Sequence, residues 1–294
     1  ENTGYQADAG KPGVKDSAWK GEFRWERRLF KLRTFVQRAG PKYVSFGAPS
    51  VVGDRMTYDA AVSLFPLPSY TLSLGGNQYQ DNLASDPSRV TTTQRLVTVG
   101  NALQLPTGTG LGLNLSLNTA RGKPATALDN QTTTMGLGLS QALGRHSASL
   151  GAQMSQFKDK NKLAHDLDSQ TLSLTANLAL PRSMNSSFGV SNSQSKDKVD
   201  GSKRSSLSVS PSVSFPIRTG WTGQIWGAHS SVKNTSPTFP ADAATLSANS
   251  EFTWARSARN TFTFGLGYNK NKDKVSSARS FSEGTLALRY SLSF

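Results

Sequence analysis

The last nine residues, LALRYSLSF at positions 286–294, decide the fold of this chain. Every second residue there is apolar: Leu286, Leu288, Tyr290, Leu292 and Phe294. Small or polar side chains and Arg289 occupy the positions between them. A period of two predicts a β-strand with one apolar face and one polar face.

The same alternation, strong or weaker, recurs along most of the chain. Thirteen further stretches show it: 30–37, 58–65, 70–79, 94–105, 111–117, 135–139, 148–154, 172–180, 186–192, 207–215, 221–230, 246–254 and 262–268. Many contain Leu and Gly, which are weak strand formers, so pattern rather than propensity carries the prediction. We therefore expect about fourteen strands, the first of them at Phe30–Gln37.

The connections between these strands alternate in length. Short turns fall near residues 66–68, 106–110, 144–145, 181–183, 216–220 and 256–259, and longer polar segments fall at 81–92, 120–131, 158–168, 196–204, 233–243 and 270–280. This alternation predicts an antiparallel up-and-down order, with tight turns at one edge and loops at the other.

The apolar faces need a partner that the chain itself does not supply. Only 36% of the residues are hydrophobic, the mean hydropathy is −0.43, and no stretch resembles a transmembrane helix. Lipid is the best candidate, and it requires a closed barrel because every backbone polar group must be paired inside hydrocarbon. We expect a transmembrane β-barrel over residues 22–294 and a polar periplasmic lead-in or linker over residues 1–21.

The terminal strand carries the most specific resemblance. Over residues 28–294 the pattern resembles bacterial outer-membrane β-barrel proteins, and Leu288, Tyr290, Leu292 and Phe294 look like the signal that the barrel-assembly machinery reads. Arg289 stands where that signal commonly has a glycine, and Gly284 lies further upstream. The resemblance implies short periplasmic turns, longer extracellular loops, both termini in the periplasm, and contacts with outer-membrane lipid and lipopolysaccharide.

The charge of the chain is strongly positive, at +14. Nucleic acid is not the expected partner, since much of the charge lies in loops that mix Lys and Asp, and no basic face carries ordered aromatics. By parity, Lys31, Arg33 and Arg289 point away from the apolar face. Closure would bring them together as a basic pore-lining patch that favours anions, partly offset by the inward acidic residues Asp59 and Glu251. The alternative is that these cations pair with carboxylates or with the amino-terminal segment.

The residues that catalysis or cofactor binding would need are sparse. There is no cysteine, and His146, His165 and His229 lack a recognisable nucleophile motif or metal-ligand spacing. We therefore expect no enzyme, no cofactor and no metal. Aromatic residues near strand ends indicate an interfacial girdle: Tyr58, Tyr70, Tyr79, Trp221, Phe252, Trp254, Phe262, Tyr268 and Tyr290.

Three functional hypotheses follow. The first is an outer-membrane channel, porin-like or an export pore, that passes small polar or anionic solutes or a secreted polymer. The second is a non-conducting structural barrel that holds a partner protein in an envelope complex. The third is a soluble or surface β-rich adhesin that spans no membrane.

Overall fold

The structure, a computed structural model, describes residues 2–5, 14–43, 52–257 and 259–292. Phe294, predicted as part of the assembly signal, lies outside the described residues. The strands are β1 (Asn2–Tyr5), β2 (Val14–Arg27), β3 (Phe30–Ala39), β4 (Arg55–Leu67), β5 (Tyr70–Asp81), β6 (Thr91–Gln104), β7 (Thr109–Lys123), β8 (Asp129–Leu143), β9 (His146–Asp159), β10 (Leu167–Leu180), β11 (Met184–Asp197), β12 (Lys203–Arg218), β13 (Trp221–Asn234), β14 (Ala241–Ser257), β15 (Asn260–Asp273) and β16 (Phe281–Leu292). Two single-turn 3₁₀ helices lie at Ala125–Ala127 and Ser277–Arg279.

The fold is all-β, and the strands follow one another in the sheet in chain order, from β1 to β16. Neighbouring strands are antiparallel, as the registers of β3 with β4 and of β15 with β16 show. The fourteen predicted strands correspond one by one to β3–β16. The up-and-down prediction is confirmed, whereas pairing of the last strand with the first stays a prediction.

Strand β2 corrects the predicted start of the sheet. It pairs with β3 from Ala18 opposite Ala39 to Arg27 opposite Phe30. The prediction that Phe30–Gln37 forms the first strand is therefore wrong, and β2 crosses the boundary placed after residue 21. Alternation was present in β2, but charged residues occupy its polar face along Lys20–Glu26, where most other strands have mainly Ser, Thr, Asn or Gly.

Turn and loop lengths alternate as expected. The connections β2–β3, β4–β5, β6–β7, β8–β9, β10–β11, β12–β13 and β14–β15 have two to four residues each. The connections between them, from β3–β4 to β15–β16, have at least five residues each. We call the ends joined by short connections the short-turn edge and the opposite ends the long-loop edge. No helix among the described residues is long and apolar enough to cross a bilayer.

The chain divides into two compact units. The first comprises Glu1–Gln104, Gly112–Gly136 and Ser155–Asp166, and the second comprises Leu105–Leu111, Leu137–Met154 and Leu167–Phe294. The first unit thus holds β1–β6, and the second holds β10–β16. The boundary runs through β7, β8 and β9.

Neither unit has a hydrophobic core of the ordinary kind. Among the described residues, the only buried hydrophobic side chains are Ala39 and Tyr43. Every strand from β4 to β16 instead presents at least one large apolar side chain that is exposed, and Leu288 is exposed to 77%. Leaving one Leu in water forgoes roughly 1.5–3 kcal/mol of burial energy. Faces of this kind need an apolar environment outside the protein.

Candidate functional site

The polar face of β2–β4 in the first unit carries a dense set of charges, which we call the charge ladder. The register places its members on one face, because Glu22 lies opposite Phe35, and Phe35 lies opposite Asp59. Residues two apart along a strand share that face. The ladder consists of Lys20, Glu22, Arg24, Glu26, Lys31, Arg33 and Asp59.

Opposite charges lie next to each other along the edge of this ladder. Lys20 Nζ is 3.1 Å from Glu22 Oε2, and the Arg24 Nε donates a hydrogen bond to the other oxygen of the same carboxylate. The ring of Phe35 lies under two cations, with Lys20 Nζ at 5.0 Å and the Arg33 guanidinium carbon at 5.9 Å from its centroid. β2 thus brings two carboxylates that sequence reasoning missed next to the predicted basic residues.

Lys31 and Arg33, the two predicted pore-lining cations of this unit, each have a carboxylate beside them. Lys31 Nζ is 3.5 Å from Glu26 Oε2, and Arg33 Nη2 donates to Asp59 Oδ1 at 3.2 Å. Asp59 also accepts a hydrogen bond from Asn77 Nδ2 at 3.3 Å. Four cations and three carboxylates leave the ladder one net positive charge. The local geometry of Lys31 and Arg33 therefore agrees with the alternative interpretation, in which these cations pair with carboxylates.

Arg289 and Glu251 belong to the second unit and share its polar face. Arg289 lies opposite Thr263, while Glu251 lies opposite Gly265, which in turn faces Ala287. The two residues are therefore one row apart, with β15 between their strands. The clustering of Arg289 with Lys31 and Arg33, and its effect on anions, stay predictions.

Most of the polar face in the second unit is uncharged. Hydroxyl groups contact each other across strands, with Ser187 Oγ 2.6 Å from Ser212 Oγ and Thr171 Oγ1 donating to Ser193 Oγ at 3.2 Å. An open polar groove of about 320 Å³ lies on this face. Its polar lining includes Arg145, Asn177, Asn185, Ser212, Ser214 and Gln224. Such a surface offers hydrogen bonds to water or to neutral polar molecules.

The apolar face of the second unit ends in stacked aromatics at the short-turn edge. This aromatic row consists of Trp221, Trp254, Phe262 and Tyr290, each directly opposite the next across β13–β16. Their ring centroids are 5.5, 5.3 and 4.7 Å apart in that order. Tyr290, a residue of the predicted assembly signal, ends the row. Four girdle residues thus lie side by side.

Tyr79 corrects the girdle prediction at one position. It lies opposite Thr57 on the polar face of β5, two residues along from Asn77. The guanidinium carbon of Arg55 is 4.2 Å from the ring centroid of Tyr79, and the Tyr79 hydroxyl donates to Gln94 Oε1 at 2.7 Å. Tyr79 therefore belongs to the polar face rather than to an outer girdle.

The long-loop edge of the first unit is held by buried polar side chains. Asn82, exposed to only 2%, donates through Nδ2 to the carbonyls of Asp86 and Arg89 and to Thr91 Oγ1. Asp54 accepts from Arg89 Nη1 at 2.7 Å, which ties the β5–β6 loop to the end of the β3–β4 loop. Hydrogen bonds from the Ser88 hydroxyl and backbone N–H hold the pKa of the Asp86 carboxyl below its usual value.

Of the histidines, His146 makes the clearest contact, a hydrogen bond to the backbone of a neighbouring strand. His146 Nδ1 accepts a hydrogen bond from the backbone N–H of Ala179 at 3.2 Å, at the short-turn edge. His229 lies on β13 opposite Val209 and Leu246.

Comparison with known proteins finds similarity in structure alone. No family model matches the chain, and no curated protein is similar to it in sequence. The FrpB iron transporter from Neisseria meningitidis superposes with a TM-score of 0.57 at 12% identity, covering 95% of this chain and 57% of that protein. An anion-selective porin from Comamonas acidovorans gives 0.43 at 10% identity over 94% and 96%, and a bacterial polysaccharide outer membrane secretin gives 0.47 at 13% identity over 89% and 84%. The chain has the fold of bacterial outer-membrane β-barrel proteins.

Proposed function

We propose that this protein is an outer-membrane channel, porin-like or an export pore, that passes small polar or anionic solutes or a secreted polymer. The observation that carries the proposal is the separation of faces. Exposed apolar side chains occupy one face of the strands, and hydroxyl, amide and charged side chains occupy the other. With the apolar face in lipid, the polar face lines an aqueous lumen.

The direction of the last strand supports a periplasmic carboxy-terminus. β16 runs from the long-loop edge to the short-turn edge, so the chain leaves it on the periplasmic side if the short turns are periplasmic. β1 pairs with the start of β2, Asn2 with Ser17 and Tyr5 with Val14, beside the long-loop edge, and the periplasmic amino-terminus stays a prediction. The Lys- and Asp-bearing loops then face outward, where lipopolysaccharide carries phosphate. Leu288, Tyr290 and Leu292 would engage the barrel-assembly machinery.

A second candidate is a non-conducting barrel that holds a partner protein in an envelope complex. The ion pairs Lys31–Glu26 and Arg33–Asp59 favour it, because a cation engaged by a carboxylate attracts a passing anion less strongly. A polar partner segment could use the same face through hydrogen bonds. Conductance separates the two candidates.

The test is the current through purified protein in planar lipid bilayers. We expect an open, ohmic pore with a preference for anions. Asp59→Asn frees Arg33, and one unit charge about 10 Å from a passing ion in water is worth about 0.4 kcal/mol. The ratio of anion to cation permeability should therefore rise about two- to fourfold.

Two variants complete the experiment. Arg289→Gln should lower the same ratio by a similar factor, and Asp200→Asn, in an exposed loop of the second unit, should leave it unchanged. A protein that inserts but carries no current, and that co-purifies with another envelope protein, would support the structural role instead. A protein that stays soluble without detergent, with equal gel mobility before and after boiling, would contradict both.

A further inference from the structure

The short-turn edge of the second unit carries several arginine residues at or beside its turns. Three of its connections have arginine in or beside them: Arg182 between β10 and β11, Arg218 at the end of β12, Arg256 near the end of β14, and Arg259 between β14 and β15. All four side chains are exposed. Among the described residues, none of the ion pairs involves these guanidinium groups. We call these four residues the arginine edge.

The two edges of this unit differ in their charge chemistry. The residues within about ten positions of the arginine edge contain one carboxylate, Glu251, and no lysine. The long-loop edge instead mixes lysine with aspartate, and there Lys198 lies 2.9 Å from Asp168 and Lys274 lies 3.2 Å from Asp242. Positive charge at the arginine edge is therefore left without internal compensation.

The arginine edge lies level with the aromatic row. The guanidinium carbon of Arg218 is 5.0 Å from the ring centroid of Trp221, and Arg256 follows Trp254 by two residues. Stacked tryptophan and tyrosine rings are typical of the interfacial depth of a membrane, where an apolar face meets polar headgroups. Cations at this depth reach the phosphate layer without leaving the protein surface.

The choice of arginine over lysine indicates the chemistry of the ligand. A guanidinium group binds phosphate oxygens through two parallel N–H donors, whereas an ammonium acts as a point charge. Successive hairpins bring these side chains to spacings of about 10 Å, since neighbouring strands are roughly 4.8 Å apart. Each turn can therefore contact a separate phosphate along the edge.

We propose that the arginine edge binds the phosphate headgroups of anionic phospholipids in the leaflet that the short turns meet. The inference rests on the proposed insertion of the barrel in a membrane. A bilayer fits the geometry better than an acidic protein, because Arg218 stacks on Trp221 and Arg256 shares its strand with Trp254. Exposed tryptophan and tyrosine rings at a strand end are typical of a membrane interface. Each arginine near an anionic surface strengthens binding about fivefold.

The test measures retention of phosphatidylglycerol by the full chain in a neutral detergent, by native mass spectrometry, with phosphatidylcholine as the reference lipid. One variant replaces all four arginines with glutamine, and a second is Arg256→Gln with Arg259→Gln, which alters one exposed hairpin end. The control variant removes equal charge at the long-loop edge of the same unit: Lys196→Gln, Lys203→Gln, Lys233→Gln and Lys270→Gln. Boiled and unboiled gel mobility shows that each variant is folded.

We expect phosphatidylglycerol affinity to fall more than a hundredfold in the four-residue variant and at least fivefold in the two-residue variant, and to stay within threefold of the unmodified protein in the lysine control. Inorganic phosphate at equal concentration should not displace the lipid, because a free ion lacks the chain that the aromatic row contacts. Equal losses in the arginine and lysine variants would refute the inference. So would displacement by polyglutamate that depends on the same arginines, which would indicate an acidic protein. A protein that carries no current but still retains lipid through these arginines would refute the proposed channel function and leave the lipid-binding inference intact.

Discussion

Substitution of Gly40 by Ala should lower the free energy of unfolding, because it disrupts contacts just after the end of β3. Gly40 is buried, and a Cβ atom at this position would overlap the carboxylate of Asp16. That carboxylate accepts backbone hydrogen bonds from Ser17 at 2.8 Å and Lys42 at 2.6 Å. Hydrogen bonds to a charged acceptor contribute roughly 1.5–3 kcal/mol each, so moving Asp16 aside should cost about 3–6 kcal/mol of unfolding free energy.

Urea unfolding of the protein in lipid vesicles, followed by tryptophan fluorescence, measures this loss. Gly76→Ala is the matched control, because a Cβ on this strand glycine meets no atom within 4 Å, and its effect should stay within about 0.5 kcal/mol. Asp16→Ala should cost nearly as much as Gly40→Ala, and the double variant should cost little more than either alone. Additive losses in the double variant would refute the reasoning, since they would mean that the alanine does not act through Asp16.

Three further outcomes are expected. Asn82→Ala removes three donated hydrogen bonds from a buried side chain and should lower the unfolding free energy by about 2–4 kcal/mol, with earlier proteolysis of the β5–β6 loop. Trp254→Ala removes two ring contacts from the aromatic row and should cost about 1–3 kcal/mol in the same urea assay. Because its folded pKa is lowered, Asp86 stabilises this loop above its unfolded pKa, and the effect is lost as the pH falls through the folded pKa; Ser88→Ala should raise the pH at which limited proteolysis cuts the loop.

The fourteen strands from β3 to β16 could be predicted because each of them alternates apolar residues with small or polar ones. Leu172, Leu174 and Leu178, for example, alternate with polar or small residues, and all three are exposed in the structure. The turns were equally predictable, since Pro181 has no N–H to donate to a ladder and Gly220 adopts a positive φ of 77°. Exposure of these leucines shows that the period of two marks an exposed face rather than a packed core.

The charge ladder could not be predicted in full, because ion pairs depend on register. Lys31 and Arg33 were placed correctly away from Leu32, but their partners Glu26 and Asp59 lie on other strands. A hairpin turn at Arg28 and Leu29 sets the pairing of Glu26 with Lys31, and a one-residue slip would turn every side chain to the opposite face. The prediction for Tyr79 was wrong for a related reason, since a tyrosine near a strand end can lie on either the apolar or the polar face of the sheet.

The charge ladder and the carboxylate of Asp16 beside Gly40 contribute differently to the stability of the sheet. Exposed ion pairs such as Arg33–Asp59 contribute roughly 0.2–1 kcal/mol, because water screens them and both side chains lose freedom. Neutralising Asp59 therefore changes the potential beside the polar face while leaving the fold nearly as stable. The carboxylate of Asp16 differs, since it accepts two backbone hydrogen bonds, from Ser17 and Lys42. Substitutions in the charge ladder should therefore change the charge of the polar face of β2–β4 without weakening the sheet that carries it.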